Sequence, residues 1–92
     1  MRDPVFEDFS DKIGESFEVE LDGASLSLVL EEAEALPRSI RESGFRLQFR
    51  GPYEPILPQA IYGLSNGGEA DEIFIVPIGR DDAGTKYEAI FF

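Results

Sequence analysis

The stretch SFEVELDGASLSLVLE, residues 16–31, has the pattern of a β-hairpin. From Phe17 to Leu21 apolar and polar side chains alternate, which is the period of two expected of a strand with one buried face. The dipeptide Asp22-Gly23 follows, and such pairs favour tight hairpin turns because both central residues need a positive φ. Leucines at positions 26, 28 and 30 then resume the alternation. The stretch therefore predicts two antiparallel strands joined by a tight turn.

Four more stretches are predicted strands and indicate the fold class, and three of them repeat this alternation. They are residues 44–50, 59–65, 72–78 and 85–92. With the hairpin they make six strands at a spacing of about ten residues, which is typical of a small barrel or sandwich. We therefore predict a single all-β domain, residues 1–92: a six-stranded antiparallel barrel or closed sandwich with one short N-terminal helix. Its predicted core residues are Phe17, Leu26, Leu28, Phe45, Leu47, Phe49, Tyr62, Leu64, Ile73, Ile75 and Phe91.

The predicted helix covers residues 4–13. Apolar residues recur there at spacings of three and four, which would place them on one face. These residues are Val5, Phe6, Phe9 and Ile13. A helix this short is marginal alone, so we expect it to plug or flank the sheet.

Two further stretches are less regular. Residues 72–78, EIFIVPI, are apolar on both faces and predict a central strand. We expect this strand to be covered on one side, by the helix or by the opposite wall of a barrel. Residues 32–43 show no clear period, and the sequence leaves open a loop across the end of the sheet or a helical turn.

The composition excludes several classes of function. The 92 residues include 19 acidic and 8 basic side chains, for a formal net charge of −11. Such a surface repels phosphate backbones and anionic lipids, so neither nucleic acid nor a membrane is an expected partner. The chain contains no His and no Cys, which removes His-dependent catalysis, disulfides and the usual zinc sites. We expect no cofactor and no metal, and a cytoplasmic location because small secreted domains often need disulfides.

The second half of the chain carries four strings that resemble those of one family. They are Phe-x-Leu-x-Phe-x-Gly-Pro from residue 45, Leu-Pro-Gln-x-x-Tyr-x-Leu from residue 57, Ile-Phe-Ile-Val-Pro-Ile-Gly from residue 73 and Tyr-Glu-Ala-Ile-Phe from residue 87. The family consists of small uncharacterised bacterial proteins classed as a domain of unknown function. The resemblance implies a stand-alone bacterial domain and supplies no activity, cofactor or catalytic residue. The association of this family with phage-tail genes implies, through the same resemblance, an accessory or interaction role.

Residues 51–59, GPYEPILPQ, form the most individual stretch of the sequence. Prolines stiffen a loop and order it for binding, and Tyr53 is a candidate aromatic anchor. The alternative is a rigid connection between two strands, with Leu57 in the core. We predict partner binding, in a protein without identified catalytic residues, at Tyr53, Ile56 and Phe92.

The end of the chain, residues 89–92, reads Ala-Ile-Phe-Phe, and only one of the two phenylalanines can follow the inward alternation. We expect the other on the outer face or at a strand edge, where it would support a homo-oligomer. The alternative is that Phe92 folds back and completes the core of a monomer.

Carboxylates support three more hypotheses. Oxygen ligands for a hard cation would come from acidic turns, and these candidates are Glu69, Asp71, Glu72, Asp81 and Asp82. Glu18 and Glu20 share the outward face of one strand, as mimicry of nucleic-acid phosphates would require. A carboxylate pair in a walled cleft would serve glycosidase-type chemistry.

The predicted function is a non-enzymatic protein-interaction or assembly module, including an accessory role near phage tails. The alternative is a carboxylate-dependent small-molecule binder or hydrolase. A walled pocket with two carboxylates forced together would favour the enzyme. An exposed apolar patch or an unpaired strand edge would favour the interaction module.

Overall fold

Six antiparallel strands and one short helix make up the residues that the computed structural model describes, which are 6–21, 23–36, 44–68 and 70–91. Helix α1 spans Glu7–Ser10. Strands β1 to β6 span Ser16–Leu21, Ala24–Ala35, Phe45–Gly51, Ala60–Ser65, Asp71–Asp81 and Gly84–Phe91. The order β1-β2-β3-β6-β5-β4 closes on itself because β1 pairs with both β2 and β4. The all-β prediction is confirmed, and the sheet is a closed barrel.

Strands β1 and β2 form the predicted hairpin. Phe17 pairs with Leu28 in antiparallel register, and both side chains are buried. Gly23, in the turn, has a φ of 70°, a region that glycine adopts at little cost. Asp22 lies outside the described residues. The alternation seen in the sequence therefore marks the buried face of both strands.

Strand β2 extends further than the sequence indicates. Residues 32–43 were expected to hold a loop or a helical turn, but β2 continues to Ala35. A bulge between Leu30 and Glu32 shifts the register, and the ladder with β3 resumes beyond it. Pairing with β3 explains the extension, since cross-strand contacts override the weak strand preference of Glu and Ala. Residues 37–43 lie outside the described part of the chain.

The inward side chains of all six strands fill the barrel. Most of the predicted core residues are buried, while Leu26, Tyr62 and Phe91 are partly buried and pack against that core. The buried apolar residues are Phe9, Phe17, Val19, Leu28, Leu30, Phe45, Leu47, Phe49, Leu57, Leu64, Ile73, Ile75, Tyr87 and Ala89. The predicted register is therefore correct along all six strands.

Helix α1 plugs one end of the barrel. It is a single turn, shorter than the predicted helix over residues 4–13, whose first two residues lie outside the described part. Phe9 is buried, and its ring centroid lies 6.0 Å from those of both Phe17 and Phe45. Ile13 is exposed, so the expected four-residue apolar face is wrong at this position. The aromatic contacts of Phe9, rather than helix propensity, hold this turn on the barrel.

Strand β5 is central, as predicted, but its outward face is open. It pairs with β4 on one side and β6 on the other. Ile73 and Ile75 point into the barrel, whereas Phe74 and Ile78 are exposed. The opposite wall of the barrel covers the inner face, as one of the two expected alternatives had it, and α1 packs at the end of the barrel.

The final strand is not an edge of the sheet. β6 lies between β3 and β5, pairing with β3 as far as Phe91 and with β5 as far as Glu88, and self-association stays a prediction. Phe91 follows the inward alternation, and its ring stacks on Phe45 with centroids 4.4 Å apart. Phe92 lies outside the described residues.

Replacing Phe49 by alanine should lower the free energy of unfolding by about 3–5 kcal/mol, because it leaves a cavity in the core. The Phe49 ring is fully buried and packs edge-on against Phe17, with centroids 5.7 Å apart. Phe74→Ala, the same change on the outer face, should cost less than about 1 kcal/mol. Urea denaturation measures both values, and equal losses would contradict the inward and outward assignment.

Replacing Gly51 by alanine should lower the melting temperature more than Gly67→Ala does. A Cβ on Gly51 would lie 2.6 Å from Leu28 Cδ2 and 3.2 Å from Tyr87 Cε2, both in the core. Overpacking of this kind costs about 1–3 kcal/mol, occasionally more. Gly67 has a φ of 77° and open space around it, so alanine there meets backbone strain without a clash. Thermal unfolding compares the two, and a Gly51→Ala protein that melts no lower would refute this account.

Candidate partner-binding surface

The loop between β3 and β4, residues 52–59, closes the end of the barrel opposite α1, and we call it the corner loop. Its anchor is Leu57, whose side chain is buried in the core. The backbone N–H of Leu57 donates to the hydroxyl of buried Tyr87 at 2.9 Å. A hydrogen bond shielded from water is costly to break, because the freed N–H has no substitute partner. The structural interpretation of Leu57 as a core residue is therefore correct.

A second contact holds the far end of the corner loop. The Tyr62 hydroxyl, at the start of β4, donates to the Pro58 carbonyl at 2.7 Å. Burial, together with the neighbouring Tyr87 phenol, raises the pKa of Tyr62 above the ordinary value of 10.0. The hydroxyl therefore keeps its proton, and its role as donor, at neutral pH.

Tyr53 is displayed at the tip of the corner loop. Its carbonyl accepts hydrogen bonds from Arg80 Nη1 at 3.3 Å and from Thr85 Oγ1 at 3.2 Å. The Arg80 guanidinium also lies 3.9 Å from the centroid of the Tyr53 ring, an attractive cation–π arrangement. The side chain is nevertheless 51% exposed. The β5–β6 hairpin thus fixes an aromatic ring that still faces solvent.

The structure describes two of the three predicted partner-binding residues. Tyr53 and Ile56, which is 45% exposed, lie on the same anchored loop. Phe92 lies outside the described residues. The corner loop is both a rigid connection and a display of two exposed apolar side chains, so its two interpretations are compatible.

A second exposed apolar feature was missed by the sequence analysis, and we call it the outer row. It consists of Ile61 on β4, Phe74 on β5 and Ile90 on β6, which are 64%, 50% and 43% exposed. Ile61 and Phe74 are direct cross-strand partners. Val76 pairs with Glu88, where the recorded β5–β6 ladder ends, and Ile90 is the next outward residue of β6. The signal was present in the sequence, since all three residues occupy outward positions of their strands.

The acidic side chains do not converge on a cation. Asp71 and Asp81 begin and end β5, and ten residues of strand separate them by about 30 Å. Asp81 instead accepts the Ala83 N–H at 2.9 Å and lies 3.7 Å from Lys86 Nζ. Among the described residues, no three metal-ligating side chains come together. Glu69 lies outside this part of the chain.

Among the described residues, no helix is long and apolar enough to cross a membrane.

Tyr87→Phe should lower the free energy of unfolding by about 1–3 kcal/mol, because it leaves the buried Leu57 N–H without an acceptor. Tyr62→Phe removes a hydroxyl whose bond to Pro58 is exposed to solvent, so water can replace it at little cost. Urea denaturation of the two variants makes the comparison. An equal effect of both changes would show that the Tyr87 hydroxyl does not anchor the corner loop.

Comparison with known proteins identifies the family. The sequence profile described as Domain of unknown function (DUF6916) matches residues 4–91. This range contains α1, all six strands, the corner loop and the outer row. No curated protein and no solved structure matches the chain. The predicted membership of a family of unknown function is confirmed, and the chain belongs to the family DUF6916.

Proposed function

We propose that this domain is a non-enzymatic protein-interaction or assembly module, and that a protein partner docks on the corner loop. The observation that carries the proposal is the half-exposed ring of Tyr53, which has the Arg80 guanidinium over its face. Tyrosine is enriched among the residues that dominate binding energy at interfaces. Ile56, three residues further on, supplies a second apolar contact on the same loop.

The anchoring of the loop supports this proposal energetically. Ordering one flexible side chain on binding costs about 0.5–1.5 kcal/mol, and ordering a loop costs more. The contacts of Leu57 with Tyr87 and of Tyr53 with Arg80 already exist without a partner. A partner that meets this loop therefore loses less of its binding energy to ordering.

The wider setting belongs to the same proposal. We place the domain in a bacterial cytoplasm, with an accessory role near phage-tail assemblies, because of the family resemblance and the absence of cysteine. The net charge of −11 disfavours nucleic acid and anionic membranes as partners. The alternative of a carboxylate-dependent binder or hydrolase gains no support from Asp71 and Asp81, which lie far apart on β5.

Photo-crosslinking inside cells of the source organism tests the proposal. A photoreactive phenylalanine analogue at position 53 should give a discrete adduct with one protein, and Ile56→Glu in the same chain should reduce its yield. The matched control carries the analogue at Gly68, which is exposed, surrounded by open space and located at the opposite end of the barrel. Mass spectrometry identifies the adducts. The same products from positions 53 and 68, or none from position 53, would refute binding at the corner loop.

A further inference from the structure

We infer that the outer face of β4, β5 and β6 is a second docking surface, and that it takes a basic protein segment whose apolar side chains are bordered by lysine or arginine. The inference rests on the proposed function in requiring a protein partner. It uses the outer row, which shares no residue with the corner loop. The two surfaces can therefore be tested separately.

The outer row joins exposed residues of neighbouring strands. Ile61 and Phe74 are direct cross-strand partners, and Ile90 is an outward residue of the adjacent strand β6, two positions beyond the Val76–Glu88 pair. Val76, half-buried, follows Phe74 on the outward face of β5. Single exposed apolar residues are common on protein surfaces, whereas contiguous ones mark interaction sites.

The outer row is not needed to fill the barrel. The interior already contains the inward residues of these strands, including Leu64, Ile73 and Ala89. Helix α1 packs at the end of the barrel through Phe6 and Phe9. No other described element covers the outward face of β5, and about half of the Phe74 side chain is open to solvent.

The charges beside the outer row are negative and unbalanced. Glu20 and Glu72 flank Gly63: Glu72 is its cross-strand partner, and Glu20 Oε1 would lie 2.5 Å from a Cβ at that position. Glu18 precedes Glu20 on the same outward face and accepts a hydrogen bond from Ser27. Strands β1 and β4 contain no lysine or arginine. The one base of β5, Arg80, is stacked on Tyr53 at the far end of that strand.

The β2–β3–β6 side of the barrel, which adjoins the outer row at Ile90, is different because its bases lie beside acids. Arg46 Nε lies 2.6 Å from Glu88 Oε2, and Arg50 Nε lies 2.7 Å from Glu31 Oε2. Arg46 is also the cross-strand partner of Ile90, so the base nearest the outer row is already neutralised. The excess negative charge of the described strands therefore concentrates on the β1–β4–β5 side.

This distribution of charge favours a basic protein segment as the partner over a second copy of the chain, nucleic acid or anionic lipid. A second copy would bring its own Glu20 and Glu72 towards those of the first, between two domains that each carry −11. Nucleic acid and anionic lipid are repelled for the same reason. A basic segment instead places its charges beside Glu20 and Glu72, which have no basic partner among the described residues, while its apolar side chains cover the outer row. Complementary charge of this kind raises association rates and specificity.

Fluorescence anisotropy with a labelled peptide of alternating leucine and lysine tests the inference in solution. The full chain should bind it, and Ile61→Ser should weaken binding about tenfold or more, as loss of a central apolar contact does. Ile56→Ser is the matched control, since it removes the same exposed side chain from the corner loop, and it should leave the affinity unchanged. Glu72→Gln should also weaken binding, while Glu34→Gln, an exposed glutamate on β2, should not.

Control peptides and salt separate this mode from a general attraction of charges. Replacing the leucines by serine, or the lysines by glutamate, should abolish binding. Affinity should fall as salt rises, because the Debye length shrinks from about 30 Å at 0.01 M to about 8 Å at 0.15 M. Equal binding of the leucine-free peptide, or no difference between Ile61→Ser and Ile56→Ser, would overturn the inference. A dimer in sedimentation that Ile61→Ser dissociates would overturn it in favour of a second copy.

A crosslinker at position 61 in cells distinguishes failure of this inference from failure of the proposed function. An adduct at position 61 but not at position 53 would support the outer row and refute the corner loop. An adduct at position 53 alone would do the reverse. Absence of adducts at both positions would refute both.

Discussion

The corner loop depends on one contact inside the barrel, the packing of the Tyr87 ring against the backbone of Gly51. A Cβ at position 51 would lie 3.2 Å from that ring and 2.6 Å from Leu28 Cδ2. Glycine, which has no Cβ, therefore leaves room for the Tyr87 ring. The ring carries its hydroxyl to the end of the barrel, where it accepts the N–H of Leu57. Because the bond is buried, it fixes the loop that displays Tyr53 and Ile56.

Closure of the sheet determines how this domain can meet another protein. Each of the six strands in the described ranges has a neighbour on both sides for at least part of its length, so none of them offers a whole edge for strand addition. Loops and the outward side chains of the strands offer other binding surfaces. The corner loop and the outer row are such places, and they differ in character. The corner loop supplies an ordered aromatic ring, and the outer row supplies an apolar strip beside unpaired carboxylates.

Much of the fold could be predicted from the sequence, because alternation of polar and apolar side chains is a local property of a strand. Phe17, Leu47 and Ile73 each follow this period and are buried, which needs no knowledge of the neighbouring strand. The exposure of Tyr53 and Ile56 was predictable for a similar reason, since a segment rich in proline lies outside the ladders. Absence of His and Cys likewise limits the chemistry without any structure.

Tertiary structure alone decided the features that join distant parts of the chain. Pairing with β3 extends β2 to Ala35 through residues of weak strand preference, and closure joins β1 to β4, the two strands that would otherwise be the edges of the sheet. The outer row lies on three strands that follow one another along the chain, but no local pattern reveals which outward faces remain uncovered. The bond between Leu57 and Tyr87 likewise spans 30 residues. Composition sets the net charge, but its concentration beside Phe74 follows from strand order, because only the closed sheet determines which charged side chains become neighbours.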